Sequence, residues 1–359
     1  MKKLNFKYNY ITNEGILQFC LILKNEPDDR FIKIDFRMNP IDKNGLSELD
    51  FFLSKFKNIS KILYMNFYAN ATFDNLFYYT KCLNNLKQVI FLGYYIPAYC
   101  VQDLNDLLLN NKNIEKIILS IHRDNDNNQI KTICPGIKHN SKITHLILPM
   151  CCINDEGAEM LSNALFNNIN IQEINLEDNK IGLKGIKELS EKVLGKISLN
   201  KINLGHNLID GEGAKYLGKS LKNALNIKNL ILNSNSLMDL GCKYISDGLI
   251  NNKTLIELNL DYNKISNLGI QYLSKILIKI ETFMKLSLST NLITEINDDL
   301  FILFSWVESI KISDNPININ EITKIIKATS NNRLFKKLRF KICDSDFNEM
   351  LIENDCLKK

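Results

Sequence analysis

At 359 residues the chain could hold two or more ordinary domains, and a composition of 45% hydrophobic and 24% charged residues is that of an ordinary globular protein. A formal net charge of +5 is too mild to argue for nucleic acid by itself. No apolar run reaches the ~18 residues of a membrane span, the nearest being Leu300 to Val307, and the basic start Met1-Lys2-Lys3 lacks an apolar h-region, so no secretory signal is expected. The 9 cysteines are odd in number and show no paired spacing; Cys151 and Cys152 are adjacent, unlike a metal knuckle, which favours reduced thiols, a cytoplasmic setting and no metal site.

One slot sets a register along the chain. It holds Asn9 and Asn39, then Phe67, Tyr94, His122 and Cys151, where Asn is lost. It continues as Asn179, Asn207, Asn235, Asn263 and Asn291 at a constant spacing of 28, and ends with Asn315 and Cys343. A fixed period in this range marks a solenoid, in which each unit contacts its neighbours. The register predicts about 13 repeats in a single solenoid over 1–359, with an N-terminal capping repeat (1–30), irregular repeats (31–170), regular repeats (171–291), and C-terminal repeats with a cap (292–359).

Within a repeat, apolar positions at period 2 predict a short strand with one buried face. The Asn that follows turns the chain, and its amide is suited to satisfying turn backbone groups. Apolar residues at four-residue spacing, as in Gly213, Leu217 and Leu221, predict a helix. Helix starts carry capping candidates: Thr12, Asn154 and Asp210. Seven glycines, at 15, 45, 157, 185, 213, 241 and 269, share one phase and predict close packing of helix on strand layer. The run Asp124 to Asn128 and Cys134-Pro135-Gly136 predict a short or irregular helix in the fifth repeat. The residues around Pro27 read as a loop extension, and Trp306 as a helix-packing residue. The 24-residue gap before Asn315 predicts the loss of about one helical turn.

The pattern Ile171-x-x-Ile174-x-Leu176-x-x-Asn179-x-Ile181-x-x-x-Gly185, repeated from Leu199, Ile227 and Leu255, resembles the leucine-rich repeat in its long, helix-bearing form, as in the ribonuclease-inhibitor-like proteins. That resemblance implies an α/β solenoid of horseshoe form, with a parallel β-sheet on the concave face and helices on the convex face. It also implies a non-enzymatic scaffold that binds a protein partner on the concave face.

Residues between the buried strand positions should line that face. Leu63, Met65, Ile90, Leu92, Ile118 and Ile147 would form an apolar patch, with Tyr94 at its rim, and such a patch suggests a protein contact unless the chain's own loops cover it. Lys33 and Arg37 lie towards one end, and Glu173, Glu177, Glu257 and Asp261 in the middle, a layout that would select a partner of complementary charge. Lys337, Arg339 and Lys341 read equally well as charges that protect the last strand from edge association. No phosphate loop, nucleophile elbow, zinc-helix or kinase signature is present, and the four histidines fall in different repeats, so neither a catalytic residue nor a cofactor is expected. The helical repeat is also similar to that of the Ran GTPase activators, for which Arg37 would be the arginine to test. RNA binding through Lys3, Lys7, Lys33, Arg37 and Lys61 is disfavoured because no aromatic residues interleave with them. The Asn/Lys/Ile-rich composition and the tail Glu349 to Lys359 look like those of effectors that intracellular bacteria translocate into a host cell. A monomer is expected.

Overall fold

The computed structural model describes residues 2–6, 9–24, 31–35, 39, 44–45, 48, 61–65, 88–93, 98–121, 127–304, 307–330, 337–340 and 350–353. Arg37, Tyr94, Trp306, Lys341 and the segment around Pro27 lie outside the described residues. The chain divides into two compact units, Met1–Asn179 and Lys180–Lys359.

The first unit carries strands β1 (Lys2–Asn5), β2 (Phe31–Asp35), β3 (Lys61–Met65), β4 (Gln88–Gly93), β5 (Lys116–Ile121), β6 (His145–Ile147) and β7 (Glu173–Asn175). Each pairs in parallel with the next. Parallel neighbours need a crossover, and the described crossover helices are α1 (Asn13–Lys24), α2 (Ala98–Asn110), α3 (Asn128–His139) and α4 (Asp155–Leu165). The second unit carries parallel strands β8 (Lys201–Asn203), β9 (Asn229–Ile231), β10 (Glu257–Asn259), β11 (Lys285–Ser287), β12 (Ser309–Lys311) and β13 (Lys337–Phe340). Its helices are α5 (Leu183–Leu189), continued by a π turn at Ser190–Leu194, α6 (Gly211–Leu221), α7 (Met238–Leu249), α8 (Asn267–Leu277), α9 (Asp298–Phe304) and α10 (Ile319–Ser330).

The inward positions are those the period marks. In the repeat around α6, Ile202, Leu204, Ile209, Ala214, Leu217 and Leu221 are all buried between sheet and helix. From Asn39 onward the slot asparagines are buried too, and they tie their repeats to the previous ones. Asn179 Oδ1 accepts from the N–H groups of Cys151 and Ile153 at 3.1 and 2.9 Å, while Nδ2 donates to the carbonyls of Leu148 and Leu176 at 3.0 and 2.9 Å. Asn39, Asn235, Asn291 and Asn315 repeat the arrangement. The residue just before the slot takes a left-handed backbone: Met150, Asp178, His206, Ser234, Tyr262, Thr290 and Asp314 have φ between 53° and 56°. A β-branched residue such as Thr290 rarely adopts that conformation.

A second asparagine ladder runs at the opposite end of the helices. Asn140 Nδ2 donates to Asn111 O at 2.8 Å, Asn168 Nδ2 to Ile143 O at 3.0 Å, and Asn252 Nδ2 to Ile227 O at 3.3 Å. Each of these amides also accepts from a backbone N–H two residues on. The helix-to-strand turn is thereby satisfied without water.

Three expectations need correction. First, the shared-phase glycines do not clear the strand layer. A Cβ on Gly269 would lie 2.6 Å from Ile265 Cγ2 and 2.5 Å from Asp239 Oδ1, and one on Gly241 would lie 2.7 Å from Leu237 Cβ. The constraint therefore comes from the inward loop residue four positions back and from the helix start of the preceding repeat. Second, the helix of the fifth repeat is neither short nor irregular, because α3 runs 12 residues through Pro135. The N–H of Gly136, next to the proline, donates to Asn105 Oδ1 of α2 at 2.7 Å, so the neighbouring helix holds the backbone where proline interrupts the helix ladder. Third, the strand bearing Lys337 and Arg339 is not the last: β14 (Met350–Glu353) pairs with β13 antiparallel, and covers its edge with backbone rather than charge.

In the shortened repeat α9 is described over Asp298–Phe304, and residues 305–306 after it lie outside the described residues. Caps fall where expected at Asn154 and Asp210, and also at Ser266. Asp210 accepts from Gly213 N at 2.7 Å, so Asp210→Ala should cost the second unit about 1 kcal/mol in thermal or chemical unfolding. A pH-dependent contribution comes from Glu321, which is buried. Burial opposes its ionisation, but the ammonium of Lys324 at 2.7 Å and the N–H of Ile296 at 2.8 Å outweigh that and hold the carboxyl below its ordinary value. A carboxyl depressed in the fold stabilises above its unfolded pKa and loses that contribution as pH falls through the folded one. The second unit should lose stability on acidification below about pH 4, and Glu321→Gln should flatten that part of the profile.

Candidate partner-binding face

The pleat separates the two sides of the sheet. In β5 of the first unit, Ile117 and Leu119 are buried, while Lys116, Ile118 and Ser120 are half-buried on the side the helices leave open. In-register parallel pairing extends that side into rows across neighbouring strands. One row runs Asn5, Asp35, Leu63, Ile90, Ile118, Ile147 and Asn175. Beside it, Met65 pairs with Leu92 and Leu92 with Ser120. Four of the six apolar residues expected to form a patch therefore sit in one unbroken row, and the other two begin the next. Ile147, like Ile118, is half-buried.

A second row begins two residues earlier on each strand. It consists of Lys3, Lys33, Lys61, Gln88, Lys116, His145 and Glu173. The sequence puts all seven at one position, six residues before the slot of each repeat, and the strand register pairs them in that order. His145 Nε2 lies 3.8 Å from Glu173 Oε2, so the acidic member closes the row against the imidazole.

The expected acidic centre is divided between the units and engaged locally. Glu173 pairs with His145, and the backbone N–H of Glu177 donates to Asn175 Oδ1 at 2.9 Å. In the second unit, Asn229 Nδ2 donates to Glu257 Oε2 at 2.8 Å. The Asp261 carboxylate accepts from Ser287 Oγ at 2.7 Å and Ser289 N at 2.6 Å. Burial pushes the Asp261 carboxyl above its ordinary value, against these bonds and the charge of Lys311. Glu257 and Asp261 thus serve their own sheet as well as facing out.

Nothing in the described side chains favours covalent or metal chemistry. Burial pushes the Cys134 thiol up to about 12 and, with Glu48 nearby, the Cys20 thiol up to about 11, which leaves neither as thiolate at neutral pH. Among the described residues no three His, Cys, Asp or Glu side chains gather as a metal site requires. No described helix is long and apolar enough to cross a membrane.

Segments 139–162, 167–190, 195–218 and 251–274 match the leucine-rich repeat family. These segments are leucine-rich repeats. The chain is also 28% identical over 113 residues to human "NACHT, LRR and PYD domains-containing protein 14", a match that covers 31% of this chain and 10% of that protein. The chain thus spans about a tenth of the length of the curated relative it matches. The parallel sheet, the crossover helices and the asparagine slot are the structural counterpart of these repeats, and the slot residues Asn179 and Asn207 fall within the matched segments.

Proposed function

We propose that the protein is a non-enzymatic interaction scaffold that holds a protein partner on the open side of its sheet, with the first unit as the main contact. Leucine-rich repeat domains generally mediate protein–protein interaction, which sets the class. The observation that carries the choice of face is the row Leu63, Ile90, Ile118 and Ile147, four aliphatic residues on adjacent strands of one side. Aliphatic rows on a solvent-facing sheet side are the kind of patch that partners bury. Each fully buried residue of this size contributes about 1.5–3 kcal/mol, so two of them suffice to decide whether a complex is captured.

The test is affinity capture from cell lysate with wild-type protein, an Ile118→Asp/Ile147→Asp variant, and Leu208→Asp as an exposed apolar control in the second unit. Loss of a captured partner with the first variant and retention with the control is expected. Equal capture by all three would refute the assignment of the face.

A further inference from the structure

We infer that the first unit's open face takes an acidic amphipathic helix of its protein partner, laid across the strands so that its carboxylates meet the lysine row and its aliphatic side chains meet the isoleucine row. The inference rests on the proposed use of that face and adds the chemistry and conformation of what binds there.

Charge comes first. Lys3, Lys33 and Lys61 are direct cross-strand neighbours, and Lys116 extends the line beyond Gln88, with His145 adding charge when protonated. Like charges directly opposite one another on adjacent strands disfavour the sheet, and a facing row of carboxylates would relieve that cost. The one acid in the row, Glu173, lies at its far end, and the acid of the adjoining row, Asp35, lies near its start. Between them the two rows are basic and aliphatic, which defines the complement: acidic on one ridge and aliphatic on the next.

Geometry then selects the conformation. Adjacent strands lie about 4.8 Å apart, so residues of one row recur at that interval. A helix crossing the strands presents a side chain on a given ridge about every 5.4 Å, one turn at a time. An extended segment presents same-face side chains about every 6.7 Å and falls out of step after two strands. From Lys61 to His145 the row spans three strand intervals, roughly 14 Å, against roughly 16 Å for three helical turns. The helix keeps step over the length of the patch; an extended chain does not.

A polyanion such as RNA would answer the lysines but not the neighbouring row. Leu63, Ile90, Ile118 and Ile147 offer no ring on which a base could stack, and base stacking on aromatic side chains carries single-strand binding. The aliphatic row favours a protein ligand.

The probe is a fluorescein-labelled, hydrocarbon-stapled 18-residue helix with Glu along one ridge and Leu along the adjacent one, read by fluorescence anisotropy against the full chain. A Lys-for-Glu version and labelled polyuridylate serve as comparisons. The Glu/Leu helix should bind at least tenfold more tightly than the Lys/Leu helix, and less tightly as salt rises. A Lys33→Glu/Lys61→Glu/Lys116→Glu variant should reverse that order, and the milder triple Gln variant should abolish the difference if charge reversal impairs folding. Equal binding of both helices, lost together in Ile118→Asp, would overturn the acidic inference while leaving the face assignment intact. Binding of the helix that Ile118→Asp leaves unchanged would overturn both. Polyuridylate displacing the helix with higher affinity would overturn the choice of a protein ligand.

Discussion

Asn291→Ala should destabilise the second unit by about 4 kcal/mol. Its side chain is buried and fully used: Oδ1 accepts from Asn263 N and Ile265 N at 3.0 Å each, and Nδ2 donates to Leu260 O and Leu288 O at 3.0 Å and to Ser289 O at 3.2 Å. A typical bond contributes about 1 kcal/mol net, and a buried donor or acceptor left without its partner costs about 1–3 kcal/mol. Two N–H groups and two interior carbonyls lose their partners at once, so the sum reaches several kcal/mol even after partial relaxation. Asn291→Asp separates this account from a volume effect, because aspartate keeps the acceptor but sets a charge against three carbonyl oxygens. It should be at least as harmful as alanine. Asn226, whose amide makes an exposed bond to Ile197 O, is the control, and Asn226→Ala should stay within about 0.5 kcal/mol in urea unfolding. A loss below about 1 kcal/mol for Asn291→Ala would mean that the ladder is replaceable.

Gly218→Ala should also destabilise the second unit, although helix propensity favours alanine over glycine by about 1 kcal/mol. The α6 and α7 backbones meet at this point. A Cβ on Gly218 would lie 2.8 Å from the carbonyl carbon of Tyr244 and closer still to its oxygen, and one on Gly248 would lie 2.5 Å from Gly218 O and 2.9 Å from Gly218 Cα. Backbone atoms inside a helix cannot swing away as a side chain can, so the two helices must separate, at a cost of about 1–3 kcal/mol beyond the propensity gain. Gly213→Ala is the contrast. Its nearest neighbours are the Ile186 and Ile209 methyls at 3.1 and 3.2 Å, which can rotate, and propensity should bring the net change within about 1 kcal/mol. If the two substitutions gave the same ΔΔG, the close backbone approach would not be what the glycine protects.

The contrast between these residues also explains how much of the fold was legible beforehand. The slot asparagines recur at 28 with inward Leu and Ile around them, so their place and the strand triplets follow from spacing. The second ladder escaped notice because Asn140, Asn168 and Asn252 fill that position in some repeats, while Lys196, Ala224 and Ile280 fill it in others. Pro135 and Gly136 signal a break to any local reading, and only Asn105 on the adjacent helix shows why none occurs. The left-handed turn residues carry no common side chain: Met150, Ser234, Tyr262 and Thr290 share a backbone conformation rather than a chemistry.

The candidate face was legible in part for a related reason. Leu63, Ile90, Ile118 and Ile147 share a phase within the repeat, so their common row follows from alternation. The lysine row follows from the same count, because each of its members stands two residues before the corresponding member of the aliphatic row. For the acids, sequence position could not foretell that Glu173 would meet an imidazole or that Asp261 would be held by two serines. Those contacts join a side chain to a side chain or backbone N–H on a neighbouring strand or turn, whose pairing only the folded register defines.

The use of the first unit's open face is tested most directly by photocrosslinking with benzoylphenylalanine placed singly at Ile118, at Ile147, and at the exposed Leu240 of α7 in the second unit. Each form would be irradiated in cell lysate and its adducts identified by mass spectrometry. The account predicts one shared protein adduct from positions 118 and 147, absent from position 240 and suppressed by excess unlabelled wild-type protein. A partner that crosslinks from position 240 and from neither sheet position would contradict it.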